Sequence, residues 1–220
     1  MNPLHNELKK EFQIERMILF SDAVFAIAIT LLAIELKVPA ILHDVTDHKL
    51  AESLLEMIPK FIGFLISFLI IGQYWTTHHR LFGFVVNYNL RLMWLNLFFL
   101  LAVVLMPFTS AFYSEYISYF LKAPVILYIG NICFLGVMNY LMWRYVSNPR
   151  HGLSEGLAKP LANYFSMRAI VVPIIFLIMM LVYFIFPRIA VWMPAIIPTA
   201  IGLLSRMYKK RLNLAIKNNS

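Results

Sequence analysis

Six apolar blocks of membrane-spanning length constrain this chain more than any other feature of its sequence. A bilayer core of roughly 30 Å needs about 20 mostly apolar helical residues. The blocks lie at about 17–37, 57–77, 90–112, 123–146, 164–186 and 189–208. The chain is 61% hydrophobic and only 14% charged, whereas soluble domains are about half apolar and a quarter charged. The sequence therefore predicts an integral membrane protein.

The blocks also predict the fold class and the domain organisation. They lack the strict apolar–polar alternation of a membrane β-barrel, so we expect an all-α bundle with six transmembrane helices per subunit. The connecting segments are short, and the longest are 38–53 and 147–162. Since no stretch is long and polar enough for a separate soluble domain, residues 1–220 are predicted to form one six-helix domain.

The charge distribution predicts the orientation. Six spans place both termini on one side of the membrane. Of the 19 Lys and Arg residues, the only ones expected on the other side are Lys37, Lys49, Lys60, Lys122 and Arg188. Because cytoplasmic loops carry the excess of Lys and Arg, both termini are predicted to be cytoplasmic. The same rule explains the net charge of +8, so nucleic acid is not a predicted partner.

A basic run near the C-terminal end has two interpretations. Lys209, Lys210 and Arg211 follow the last apolar block directly. Such a cluster is most simply a positive-inside anchor. It is also the kind of cluster that binds anionic lipid.

The first block carries one stripe of branched side chains. At about 100° per residue, one helix face collects Ile27, Thr30, Leu31, Ile34 and Val38. Asp22 falls well off this stripe, so the carboxylate and the stripe serve different partners. Apolar residues at helical spacing usually indicate ordinary packing.

Polar residues inside or beside the first three blocks form a second candidate group. Ionisable groups within a membrane are rare and usually face the bundle interior or a water-filled cavity. From their depth along antiparallel helices, we predict one buried polar node, made of Arg16, Ser21, Asp22, Trp75, His78 and Asn96. The node is either a lock that fixes helix packing or a proton relay or ion site, and the first interpretation is favoured because Asp22 points away from the stripe.

The sequence does not favour catalysis or a structural metal. The adjacent residues His78 and His79 diverge by about 100° on a helix, so they are poorly placed to chelate together. HExxH, P-loop and GxGxxG motifs are all missing; these are the local signatures of metalloproteases and nucleotide-binding proteins. We therefore expect neither an enzyme nor a protein with a cofactor.

Three stretches together resemble a known family. RMILFSD (16–22) has the form RxxxFSD, WTTHHRLF (75–82) has the form WxxHxRxF, and LNLFFLLAVVLMPFTS (95–110) has an early Asn and a late Pro-Phe. This combination resembles the first three helices of the transmembrane-protein-175 family of potassium channels. The resemblance covers about the first 112 residues, whereas the last three blocks match only in hydropathy.

The resemblance implies a function and an assembly. It implies a potassium-selective channel of the prokaryotic, single-repeat type, a homotetramer in the prokaryotic cell membrane with a pore lined by the first helix, about 17–37. The family's hydrophobic constriction falls on Ile27, with Ile34 as the next apolar layer. The hydroxyl layer, where K⁺ would bind transiently, falls on Thr30.

The resemblance also assigns the polar residues, while two other functions stay open. The family's network under the pore helix falls on Arg16, Asp22, Trp75 and His78. With Phe20, Ser21 and Asn96, these residues form the predicted structural polar network. The alternative is a secondary transporter or proton-coupled carrier with Asp22 and His78 as the relay. Such carriers often show broken helices and inverted repeats, and neither is evident in this sequence. A membrane-embedded scaffold without transport is a third possibility.

Overall fold

The computed structural model describes residues 3–39, 45–116, 119–190 and 196–217, and within these ranges every regular element is a helix. The helices are α1 (Pro3–Ile34), α2 (Asp47–Glu56), α3 (Ile58–Phe82), α4 (Leu90–Tyr116), α5 (Lys122–Val146), α6 (Lys159–Ile185), α7 (Pro187–Ala190) and α8 (Ile197–Lys217). A short 3-10 turn, Pro149–His151, follows α5.

Five helices in the described part of the chain are long and apolar enough to cross a membrane. They are Lys10–Ile34, Ile58–Phe82, Leu90–Tyr116, Lys122–Val146 and Lys159–Ile185. These five helices correspond to the first five predicted blocks. A long apolar run favours a helix in lipid, because a helix satisfies its own backbone hydrogen bonds.

The sixth predicted span, 189–208, is not among them. Residues 191–195 lie outside the described residues, and the polar run that begins at Ser205 fills the second half of α8. The sixth span therefore stays a prediction. The segment 38–53 also differs from the expected linker, because it contains the first part of α2, whose first turn is capped by the Thr46 side chain accepting from the Lys49 amide at 3.3 Å.

The bundle is built around α4 and α5. Helix α4 packs against α1, α3 and α5, and α5 packs against α6 on its other side. Helix α8 packs against α6. A close approach joins α5 to α6, where a Cβ added at Gly136 would overlap the ring of Pro173. Small residues at such positions let membrane helices approach closely.

Buried hydroxyl and amide groups tie the helices together. Ser67 on α3 shares hydrogen bonds with Ser110 on α4 at 2.6 Å and with Tyr128 on α5 at 2.9 Å. Asn131 on α5 donates to the Ala102 carbonyl of α4 at 3.0 Å. Interhelical hydrogen bonds of this kind contribute to association where lipid offers no competing partner.

The α3–α4 and α5–α6 connections lie side by side. The Val86 amide donates to the Leu153 carbonyl at 2.9 Å, and the Glu155 amide donates to the Phe84 carbonyl at 3.1 Å. These two bonds place the end of α3 and the start of α6 at one end of the bundle, which we call the basic end because Arg80, Arg91, Arg144 and Arg150 lie there.

Candidate functional site

The two faces of α1 have opposite environments. Ser21, Phe25, Ala28 and Leu32 follow a helical spacing and are buried, Phe25 to 1% and Leu32 to 2% exposure. On the other face, Ile27 is 59% exposed and Ile34 is 68% exposed. One face is therefore fixed against α3 and α4, while the other face is largely uncovered by the described residues.

The predicted stripe lies on the exposed face. Leu31 is exposed together with Ile27 and Ile34, and Thr30 is exposed as well. Val38 is also exposed, but it lies beyond the end of α1 at Ile34 and is therefore not part of the helical stripe. The Thr30 hydroxyl donates to the Ile27 carbonyl at 2.8 Å. Because that bond uses the only hydroxyl proton, the oxygen keeps acceptor capacity for another group.

A buried chain of hydrogen bonds connects α1, α4 and α3. The Ser21 hydroxyl donates to the Met17 carbonyl at 2.8 Å, and the Asn96 amide nitrogen donates to the Ser21 oxygen at 2.9 Å. The remaining Asn96 oxygen lies 2.9 Å from Nε2 of His78. An amide oxygen can only accept, so His78 donates here and Nε2 carries the proton.

Aromatic rings surround His78 on the other sides. The imidazole lies 5.5 Å from the Phe99 ring, nearly parallel to it, 5.7 Å from Phe25 and 4.4 Å from Phe82. Its Nδ1 atom is buried and has no hydrogen-bond partner among the described residues. The ring is therefore held on one edge by Asn96 and on its faces by apolar contacts.

Asp22 and Trp75 form a separate contact nearer the surface of the bundle. The Trp75 indole donates to Oδ1 of Asp22 at 2.9 Å. Asp22 is half-buried and Trp75 is exposed and stacked on His79, with ring centroids 5.8 Å apart. The carboxylate therefore lies at the edge of the bundle with a hydrogen-bond donor, which avoids the cost of full burial of a charge.

Arg16 of the predicted node and Phe20 of the network that the resemblance implies lie outside these contacts. Arg16 is exposed, with its guanidinium 5.8 Å from the Phe12 ring, and makes no ion pair with any described carboxylate. Phe20 is also exposed. The structure thus brings together Ser21, Asn96 and His78 as one set and Asp22 with Trp75 as another.

Sequence reasoning missed the aromatic rings around His78 and the hydrogen bond that Ser21 donates to the Met17 carbonyl. Phe25 lies one turn beyond Ser21 on the buried face of α1, and this spacing is the signal that was available. The position of Phe99 against His78 depends on how α3 and α4 pack, which no local pattern gives. Among the described residues, no group of three or more His, Cys, Asp or Glu side chains is placed to hold a metal ion.

The fold and the site define a class first: an α-helical, multi-pass membrane protein whose first span is anchored on one face only. Comparison with known proteins then gives the family. A family model described as the endosomal/lysosomal potassium channel TMEM175 matches residues 16–107. A protein of Chamaesiphon minutus named as a potassium channel is 31% identical over 151 residues, covering 68% of this chain and 73% of that protein. The chain belongs to the TMEM175 family, which is a family of channels and not of enzymes.

A second relative and a solved structure define the extent of the similarity. A protein of a Chryseobacterium species, also named as a potassium channel, is 37% identical over 118 residues, or 53% of this chain and 57% of that relative. The crystal structure of a lysosomal potassium-selective channel TMEM175 homologue from Chamaesiphon minutus matches with a TM-score of 0.72 at 27% identity. That match covers 87% of this chain and 97% of the other, so the similarity extends beyond the first 112 residues that the motifs covered.

Proposed function

We propose that this chain is one subunit of a potassium-selective cation channel whose pore is lined by α1. The observation that carries the proposal is the exposed stripe of α1, where Ile27, Thr30 and Ile34 face away from their own subunit in a chain of a channel family. Copies of one subunit arranged around an axis would each contribute this stripe. The family resemblance implies four copies, so we propose a homotetramer.

The stripe supplies two physical functions in this proposal. A ring of Ile27 side chains forms an apolar constriction, which blocks ions when it excludes water. A ring of Thr30 hydroxyl groups provides acceptor oxygens for a partly dehydrated cation. Because K⁺ loses hydration water more readily than Na⁺, a narrow and weakly coordinating passage favours K⁺. Ile34 forms the next apolar layer.

The polar contacts support the pore helix in this proposal and do not conduct ions. Asn96 joins Ser21 of α1 to His78 of α3, and Trp75 of α3 donates to Asp22 of α1. Contacts on the buried face of α1 fix its rotation, and its rotation decides which residues form the stripe. We therefore propose that these residues lock α1 against α3 and α4.

The membrane arrangement is part of the same proposal. With 189–208 as a sixth span, both termini lie on the side of the basic end, which the positive-inside rule makes cytoplasmic. The bacterial source of the two potassium-channel relatives supports a prokaryotic cell membrane as the location. A protease-protection assay of an epitope at each terminus in sealed vesicles tests the orientation, and protection of one terminus alone contradicts six spans.

Current through the purified full chain in planar bilayers tests the function, with K⁺ on one side and Na⁺ on the other. We expect unitary currents that reverse toward the potassium potential, and a several-fold lower preference for K⁺ in Thr30→Ala. Thr76→Ala is the matched control, since Thr76 is an exposed threonine of α3 whose hydroxyl also donates to its own helix at 2.8 Å.

Two results would contradict the proposal. If Thr30→Ala and Thr76→Ala lose the preference for K⁺ equally, the selectivity of the channel does not depend specifically on Thr30 of α1. A silent bilayer, together with slow pH-dependent flux in vesicles, would favour a carrier with Asp22 and His78 as its relay. Light scattering of the detergent-solubilised protein tests the assembly, for which we expect four times the mass of one subunit.

A further inference from the structure

Arg168 marks the membrane boundary of α6. The rest of this helix, residues 169–185, contains no charged side chain and extends over roughly 26 Å at 1.5 Å per residue. That length is close to the thickness of the hydrocarbon core. Since α6 starts at the basic end, Arg168 lies where that apolar layer meets the lipid headgroups.

A second arginine lies beside the same turn of α6. The Arg80 guanidinium, near the end of α3, lies 5.1 Å from the centre of the Phe165 ring. Phe165 and Arg168 are three residues apart, and such residues are neighbours on a helix surface. The ring of Phe165 is itself fixed by stacking on Trp143, with centroids 4.6 Å apart. The Arg80 guanidinium therefore lies within one helical turn of Arg168.

The described residues provide no negative charge for these two groups. Neither Arg80 nor Arg168 makes an ion pair with a described carboxylate. The Nε atom of Arg168 is buried, and none of the described residues gives it a hydrogen-bond partner. An arginine near the membrane normally pairs with an acid or a backbone carbonyl, so both guanidinium groups are available to an external anion.

Helix α8 contacts α6 at Tyr164, one turn before Arg168, and carries further basic residues. The Tyr164 hydroxyl bonds Ser205 at 2.8 Å, and the Tyr164 ring stacks on Tyr208 at 4.4 Å. Arg206 is exposed on this helix. The next residues of α8 are Lys209, Lys210 and Arg211, so the basic run follows directly on the part of α8 that packs against Tyr164 of α6.

We propose that Arg80 and Arg168 bind the phosphate of an anionic phospholipid at the basic end of the bundle. A guanidinium group donates to phosphate through two parallel N–H groups, which gives both affinity and geometry. Met167 precedes Arg168 in α6, and Leu203 and Met207 lie on α8, which packs against α6; all three are apolar and exposed, as an acyl chain requires and a soluble phosphate does not. The proposal does not depend on the pore, because all of these residues lie on α3, α6 and α8.

Thermal unfolding of the full chain in detergent tests the site, with phosphatidylglycerol or phosphatidylcholine added at the same mole fraction. For wild type, phosphatidylglycerol should raise the midpoint by roughly 5 °C more than phosphatidylcholine does. This difference should disappear in Arg168→Gln and shrink in Arg80→Gln. Arg150→Gln is the matched control, because Arg150 is an exposed arginine at the same end of the bundle, and it should keep the difference.

Two additional measurements distinguish lipid binding from the binding of free phosphate and from a loss of folding. Inorganic phosphate at millimolar concentration should give no shift, and a shift as large as that of the lipid would overturn the lipid assignment. An Arg168→Gln variant that folds and responds like wild type would overturn the site. If Arg168→Gln does not fold, Arg168→Lys keeps the charge without the planar pair of donors. It should keep part of the lipid-dependent shift, and a full shift there, with Arg80→Gln also unchanged, would overturn the proposal.

Discussion

Helices α1 and α5 are both long and apolar, yet their own subunit buries them to very different extents. Of the most apolar stretch of each helix, 22% of the residues are buried in α1 and 50% in α5. Helix α5 lies between α4 and α6, whereas α1 packs against α3 and α4 on one side. The difference indicates that the packing of α5 is satisfied within one subunit, while one face of α1 stays exposed to lipid or to another copy of the chain.

The first prediction concerns the tight contact of α5. Gly136→Ala places a methyl group in the volume of the Pro173 ring, and a proline ring in a helix has little freedom to move aside. Overpacking of this kind costs about 3 kcal/mol at its upper end. We expect a large loss of folded protein and a lower unfolding midpoint in detergent, the largest effect of the changes considered for this comparison.

Gly130→Ala is the control within the same helix. A Cβ at Gly130 has no heavy atom within 4 Å, so this change should leave stability unchanged or slightly raise it, since alanine favours helix over glycine. Equal losses in the two variants would mean that the helix, and not its contact with α6, is sensitive to substitution.

The second prediction separates the two faces of α1. Leu32→Ala removes a side chain that is 2% exposed, and Ile27→Ala removes one that is 59% exposed. In a membrane the loss is one of packing and not of hydrophobic transfer, so Leu32→Ala should cost about 2 kcal/mol, at the low end for such truncations. Ile27→Ala should leave the unfolding midpoint of the separated subunit nearly unchanged.

On conduction we expect the opposite order, with Ile27→Ala changing the current of each channel and Leu32→Ala leaving it unchanged. Ile27→Ala widens the proposed constriction and should increase single-channel current or the open fraction in bilayers. Leu32→Ala should reduce the amount of functional protein without changing the current of each channel. If Ile27→Ala destabilises the separated subunit as much as Leu32→Ala does, the exposed face of α1 is packed in a way that the structure does not show, and the comparison with α5 fails.

The sequence predicted the apolar spans well because their signal is local. Composition alone places the first five blocks, and the helical spacing separates the stripe with Ile27 from the buried face with Phe25. Packing between helices has no local signal. Nothing in the sequence near Gly136 indicates that Pro173 lies against it, and Asn96 could be placed by depth but its partners could not be chosen. Arg16 was placed in the polar node by depth, yet in the structure it faces outward.

The third prediction concerns the polar contact that holds α1 to its neighbours. Asn96→Leu leaves the Nε2 proton of His78 and the Ser21 oxygen without their partner in a buried site. Interhelical hydrogen bonds in membranes are worth about 1–2 kcal/mol at most, so the expected loss is smaller than for Leu32→Ala. Thermal unfolding in detergent measures it. Asn163→Leu is the matched control at an exposed position of α6 and should cost little.

The double variant Asn96→Leu with His78→Phe sharpens this test. Replacing both partners of a buried hydrogen bond by apolar groups is often nearly neutral, whereas removing one partner is costly. Since Phe25, Phe82 and Phe99 already surround the imidazole, a phenyl ring at position 78 fits an apolar site. The double variant should therefore be more stable than Asn96→Leu alone. If it is instead less stable by the sum of both single losses, His78 stabilises α3 through contacts that do not involve Asn96, and the polar lock on α1 is weaker than the geometry indicates.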